Sequence, residues 1–184
     1  MKSYDYAHRS GVRRITWDGF ASFAAHLAEL LEPYQPQLIL GVARAGLFPA
    51  TAVACSLRRE LFPIRLTRRL DDEVVYDRPV WKVPVTSDVV GKVVAVVDEL
   101  ADTGQTLTMV VESALALGAA RVVTACLVTH TWADPAPHLS ALTTDEFVIF
   151  PWDARVLSGG KWVVHPEIEA GLKAPKARAG NPQD

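Results

Sequence analysis

Val93-Val94-Ala95-Val96-Val97-Asp98-Glu99-Leu100-Ala101-Asp102-Thr103-Gly104-Gln105-Thr106-Leu107 decides how this chain folds. The run from Val93 to Val97 is apolar without alternation, so it predicts a strand buried on both faces, as in a parallel sheet covered by helices. Two adjacent carboxylates are expected to stop that strand. Leu107, Val110, Val111 and Ala114 then fall at helical spacing, and Gly118 is placed to end the helix. Between strand and helix, Gly104 allows close backbone approach. Thr103, Thr106 and the N–H groups opening the helix make a cradle for a phosphate. Asp98 and Glu99 would repel that phosphate unless they faced hydroxyls or a metal, so a sugar phosphate satisfies both halves of the motif. The alternative is an ordinary strand-to-helix turn that binds nothing.

The same alternation of elements surrounds this stretch. Phe20, Phe23, Ala24, Leu27 and Leu31 mark a helix, closed by Pro33 and Pro36 before Leu38–Val42 begins a strand. Leu47, Ala50, Val53, Ala54 and Leu57 mark the inner face of a second helix. Leu61–Leu66 and Val80–Val85 read as strands, separated by a polar segment, Arg68–Arg78, that is expected to be an exposed loop. Arg121–Val128 is another strand, and Asp145–Phe150 a final short one. There is no internal repeat. The pattern predicts an α/β fold with a parallel sheet flanked by helices and ligands beyond the carboxyl ends of the strands. Residues 1–170 read as one domain, and the Pro/Gly/Ala-rich residues 171–184 as a disordered tail.

Composition narrows the function classes. The 184 residues suit one domain with a substantial core, and a 49% hydrophobic content excludes wholesale disorder. Nineteen basic against 21 acidic residues, a net charge of -2, argue against a general nucleic-acid or anionic-membrane binder. Cys55 and Cys126 lie in apolar stretches without metal-ligand spacing and read as buried thiols of a reducing compartment. His8, His26, His138 and His165 show no zinc pattern either. Met1-Lys2-Ser3-Tyr4-Asp5 contains no apolar signal core and Arg44 interrupts the longest apolar stretch, so the expectation is a cytoplasmic protein that does not span a membrane.

Three further segments carry chemistry. In Gly41-Val42-Ala43-Arg44-Ala45-Gly46-Leu47, the glycines allow unusual backbone angles around Arg44, and the next helix offers its N-terminus to an anion such as a diphosphate. Arg44 as a plain surface cap is the other reading. Ala125-Cys126-Leu127-Val128-Thr129-His130-Thr131-Trp132 ends a strand on His130, which is either a ligand-facing donor or a polar loop residue. In Glu146-Phe147-Val148-Ile149-Phe150-Pro151-Trp152-Asp153, the aromatics are either a stacking wall with an acid behind it or ordinary core and oligomer contact.

The acid pair followed by Asp-Thr-Gly-Gln-Thr resembles the phosphoribosyl-diphosphate (PRPP) signature of the type I phosphoribosyltransferases. Purine enzymes of the hypoxanthine and xanthine-guanine kind are the nearest in pattern, over roughly residues 12 to 155. The resemblance implies a phosphoribosyltransferase fold with a small hood made from terminal segments. It assigns the ribose hydroxyls to Asp98 and Glu99, the 5′-phosphate loop to Ala101, Asp102, Thr103, Gly104, Gln105 and Thr106, and catalytic acid/base work to Asp102. Ala43, Arg44 and Ala45 match the diphosphate loop, which in that family often contains a non-proline cis peptide. Phe147 matches the stacking aromatic, Val148 the contact to the base edge, and Asp153 joins Asp98 and Glu99 as the metal-side acids. Mg²⁺, PRPP and a nitrogenous base are the implied partners, and a homodimer or higher homo-oligomer the implied assembly.

The chain departs from that pattern in three places. It has Asp-Glu where Asp-Asp or Glu-Asp is common, and Ala45 where Gly is frequent. It also lacks the lysine that donates to the 6-oxo group of the base, with His130 or Thr129 in its stead. The implied reaction is transfer of 5-phosphoribosyl from PRPP to a purine-like base, 6-oxopurine favoured, giving a nucleoside monophosphate and diphosphate. Two alternatives stand beside it: a regulatory protein of the same fold that binds PRPP or a nucleotide without turnover, and an enzyme for a non-purine base.

Overall fold

The computed structural model of the chain describes residues 9–70 and 73–173. In chain order the elements are β1 (Val12–Arg14), α1 (Trp17–Leu31), β2 (Leu38–Val42), α2 (Leu47–Leu57), β3 (Glu60–Thr67), β4 (Arg69–Leu70), β5 (Glu73–Val74) and β6 (Val80–Val83). There follow β7 (Val93–Ala101), α3 (Gln105–Ala116), β8 (Arg121–Thr129), β9 (Leu139–Thr143), β10 (Phe147–Ile149), β11 (Arg155–Ser158), β12 (Lys161–Val164) and α4 (Pro166–Lys173). The chain divides into two units, one of Ala21–Thr144 and one drawn from the flanking segments on both sides. The second is drawn from terminal segments, as the expected hood is.

In the first unit, the apolar run of β7 lies inside a six-stranded sheet of order β6-β3-β2-β7-β8-β9. All neighbours are parallel except β6, which pairs antiparallel with β3 at the edge. From β2 the chain crosses to β3 on one side, and from β7 it crosses to β8 on the other, so the strand order reverses between β2 and β7. Right-handed crossovers in opposite directions put α2 and α3 on opposite faces. Packing agrees with this. Leu38, Leu40, Val94 and Val96 gather with Leu107, Val110 and Ala114 of α3 in one buried cluster. On the other face, a Cβ at Gly41 would lie 2.8 Å from both Ala50 and Leu47 of α2, so the missing side chain is what lets that helix settle on the strand. The loops after β2 and β7 leave the sheet at this reversal, where open α/β sheets bind ligands.

The second unit pairs β1 with β10 in parallel, with Arg13 opposite Val148, and Arg13 forms an ion pair with Glu146. Trp152 stacks on Phe150 at 4.9 Å and meets Phe20 edge-on at 5.4 Å, an arrangement aromatic quadrupoles favour. The antiparallel β11–β12 hairpin turns through Gly159 and Gly160, both at positive φ.

Several expectations need correction. The carboxylates do not stop β7. It continues to Ala101 because β8 lies extended beside it, pairing Leu100 with Val128 and Ala101 with Thr129, and a ladder partner holds polar residues in a strand as well as apolar ones. The Arg68–Arg78 segment is not a plain loop, since β4 and β5 form a small hairpin whose flanking Val75 and Tyr76 amides both donate to the Arg68 carbonyl. Asp145–Phe150 shrinks to β10, which is not the last strand and stands outside the main sheet. Cys55 is exposed on the outer side of α2, whereas Cys126 is buried as expected. Gly171–Lys173 closes α4 instead of belonging to a tail, and the rest of the expected tail, 174–184, lies outside the described residues. Among the described residues, no helix is long and apolar enough to cross a membrane.

Candidate active site

The carboxyl end of β7 carries the acid pair. Asp98 is 7% exposed, and one of its oxygens accepts the Glu99 amide at 2.9 Å. Burial drives its pKa well above the ordinary carboxyl range, and the adjacent Glu99 charge pushes it further the same way. Across the ladder, Cys126 stands opposite Asp98, and its thiol is raised by burial first and by the two acids next. The loop after β2 lies against this pair. A Cβ on Gly46 would come within 2.5 Å of Asp98 Oδ1, so only glycine fits there, and the two expected binding segments adjoin each other. The Ala43-Arg44 peptide in that loop is cis and non-proline, as the diphosphate-loop resemblance implies, and Arg44 is exposed.

Beyond the acids, the backbone turns at Gly104, φ 79°, and enters α3 with no side chain capping its N-terminus. The first amides of a helix have no carbonyl of their own to meet, so this turn leaves donors of the kind that bind anions elsewhere. Thr103 and Gln105 are exposed, Thr106 half-buried, and Ala101 buried as the last residue of β7. Asp102 is half-buried, and its Oδ1 accepts a hydrogen bond from the Trp132 indole at 3.0 Å.

The structure moves the base-side candidates into different surroundings. His130 is completely buried, with Nδ1–H donating to the Thr144 carbonyl at 2.5 Å, and Thr129 beside it is buried too. Trp132 stacks on the His130 ring at 4.4 Å and 20°, and is itself 38% exposed. Phe147, Val148 and Asp153 belong to the second unit. Phe147 is half-buried with the Arg9 guanidinium 5.6 Å over its ring, Val148 is buried in β10, and the Asp153 amide donates to the Phe150 carbonyl at 3.2 Å. Thus Asp98, Glu99, Ala101–Thr106 and Ala43–Ala45 share the first unit, while the candidate base-stacking side is carried by the second.

Sequence reasoning missed Trp132 and gave Gly46 the wrong part: its φ of -62° is ordinary, and what the missing side chain permits is the close approach to Asp98. For Trp132 the available signal was a lone tryptophan among polar and proline residues, where packing gives no reason for so large a ring.

A parallel sheet whose strand order reverses beside an acid pair and a helix-opening glycine turn defines the open α/β proteins that bind ligands beyond the carboxyl ends of their strands. Residues 17–158 match the phosphoribosyl transferase domain family, and the chain belongs to that family. Among solved structures, it is similar to a purine phosphoribosyltransferase from Pyrococcus horikoshii Ot3, with 33% identity, TM-score 0.70, and coverage of 77% of this chain and 93% of that one. At 17% identity and TM-score 0.65, a Helicobacter pylori xanthine-guanine-hypoxanthine phosphoribosyltransferase shares the fold over 78% of this chain and 93% of its own. A hypothetical protein from Neisseria gonorrhoeae with bound ppGpp also shares it, at 21% identity and TM-score 0.67 over 95% and 99% of the two chains. No curated protein sequence matches the chain.

Proposed function

We propose that this protein transfers the 5-phosphoribosyl group of PRPP to a ring nitrogen of a purine-like base, releasing diphosphate. What carries this reading is the meeting of two anion-suited loops on one acid pair: Gly46 lies against Asp98 near the carboxyl end of β7, and the Gly104 turn opens α3 five residues beyond Glu99. The Pyrococcus relative, a purine phosphoribosyltransferase, supports the choice of substrate class.

In this mechanism, Asp98 and Glu99 accept the ribose hydroxyls while Thr103–Thr106 hold the 5′-phosphate through side chains and helix-opening amides. Arg44 and the amides beside it bind the diphosphate, where its positive charge favours departure of the leaving group. As the bond from the anomeric carbon to diphosphate oxygen breaks, a bond to the base nitrogen forms. The proton on that nitrogen passes to the Asp102 carboxylate. The donor set also fits a divalent cation. Of two adjacent carboxyl groups, the buried one resists ionisation, and a cation beside it would favour the charged form that binds metal. Mg²⁺ commonly takes one or two protein carboxylates and completes its shell with substrate oxygens and water. Asp98 and Glu99 would hold it, and when bound it would supply charge neutralisation for the diphosphate. Among the described residues, no group of three or more His, Cys, Asp or Glu is arranged to hold a metal by protein ligands alone.

A second reading, a PRPP- or nucleotide-binding protein without turnover, is favoured by one observation: both candidates for the missing lysine, Thr129 and His130, are buried. One assay separates the two. Diphosphate release from Mg-PRPP is measured with hypoxanthine, guanine, xanthine, adenine and a set of pyrimidines. Release with a 6-oxopurine supports the transferase; release only with a pyrimidine corrects the base; tight PRPP binding without release from any base refutes turnover.

A further inference from the structure

The loop that follows β8 returns to the catalytic turn and touches it twice. Trp132 donates its indole N–H to Asp102 Oδ1 at 3.0 Å. Two and three residues on, the backbone of Asp134 and Pro135 packs so closely on Gly104 that a Cβ there would lie 2.9 Å from the Asp134 carbonyl carbon and nearer still to the Pro135 oxygen. Behind the indole stands His130, fully buried, stacked at 4.4 Å and tied through Nδ1–H to the carbonyl of Thr144, the residue after β9. The Trp132 ring therefore has one rigid neighbour against its face and one hydrogen-bond acceptor at its edge. A carboxylate that must take a proton in one direction gains from having a fixed rotamer, since small errors of placement are costly in a proton transfer.

We propose that Trp132 is a positioning residue for Asp102, and that His130 is the buried platform holding the indole instead of a ligand of the base. This rests on the transferase reading above, in which Asp102 receives the proton of the base nitrogen. It also gives the absent lysine a physical account: the position after β8 serves the catalytic carboxylate from behind, and a cation there would sit in a buried stack with an aromatic ring.

The test begins with wild-type kinetics on Mg-PRPP and whichever of hypoxanthine, guanine, xanthine or adenine it uses fastest. Trp132→Phe keeps the stack and removes the donor. Its kcat should fall about 10- to 100-fold, part of the full contribution of an acid/base group, with KM for PRPP within about twofold of wild type. In an Asp102→Asn background, the same substitution should add less than about a twofold further loss, because its partner is already disabled. Unchanged kcat in Trp132→Phe, or an equal loss in both backgrounds, overturns the positioning role.

His130→Ala should lower kcat with KM for the base little altered; a rise in KM for the base at unchanged kcat makes His130 a base ligand and overturns the platform. An independent readout needs no turnover. In ¹⁵N-labelled protein, the indole N–H resonance absent from Trp132→Phe should move in Asp102→Asn, and a resonance that stays put overturns the link itself. Absence of turnover in wild type, with the indole shift intact, refutes the transferase reading alone.

Discussion

Gly104→Ala isolates what holds the phosphate turn in place. Two separate costs attach to it. At φ 79° any residue with a Cβ is strained by about 1–2 kcal/mol. The new Cβ would also stand 2.9 Å from the Asp134 carbonyl carbon, roughly 0.6 Å inside a comfortable carbon–carbon contact of ~3.5 Å. The obstacle is backbone rather than a side-chain end, so the two loops must part, and overpacking of this kind typically costs about 1–3 kcal/mol. Together the terms predict a loss of roughly 2–5 kcal/mol, within the ~5–15 kcal/mol that ordinarily stabilises a domain, so the variant still folds.

Gly91 supplies the control. Its φ of 71° is similar and nothing lies within 4 Å of a Cβ there, so Gly91→Ala carries only the first cost. Urea unfolding of both variants measures the difference, and titration calorimetry with Mg-PRPP reads the consequence for binding. Gly104→Ala should be the less stable of the two and bind PRPP at least tenfold more weakly, while Gly91→Ala binds as wild type. If the two unfolding free energies agree within about 0.5 kcal/mol, the usual limit of additivity for independent sites, the loop contact is not what the geometry says.

The acid pair yields a binding and a pH prediction. Asp98→Asn with Glu99→Gln should abolish Mg-PRPP binding while circular dichroism stays native; undiminished affinity removes the sugar-phosphate assignment. Because the folded state holds the Asp98 proton more tightly than the unfolded chain, the unfolded chain binds fewer protons between the ordinary and the raised pKa. Stability in Mg²⁺-free buffer should therefore fall as pH rises through that window, and Asp98→Asn should flatten the slope; an unchanged slope in the variant refutes burial as its cause. Asp102→Asn should slow turnover by about 10²–10⁴-fold with PRPP affinity nearly kept, and a parallel loss of binding would make Asp102 a support of the phosphate loop. His130→Lys puts an ammonium where no surface is exposed, so it should lower the melting temperature without improving 6-oxopurine use. Faster 6-oxopurine turnover in that variant would return the position to the base.

The sequence alone was sufficient wherever the decisive forces act between near neighbours. The apolar run of β7, the 3.6-residue spacing of α1, α2 and α3, and Gly104 before a helix all express local backbone and burial preferences, and each element lies within a few residues of where periodicity puts it. The acid pair and the glycine turn that opens α3 were legible for the same reason, because all of their groups come from one short segment. Elements that exist only because a distant partner pairs with them were not legible. β1 depends on β10 more than 130 residues away, β9 on β8, and the polar end of β7 on Val128 and Thr129.

The site divides along the same line. That Gly46 abuts Asp98 follows from β2 and β7 being neighbours in the sheet, a fact of strand order that no local pattern encodes. The fate of His130 and the reach of Trp132 to Asp102, thirty residues away, depend on how one loop folds back over another. A polar side chain at a strand end reads the same whether it faces a ligand or is stacked and buried. Only the packing of the completed chain separates the two.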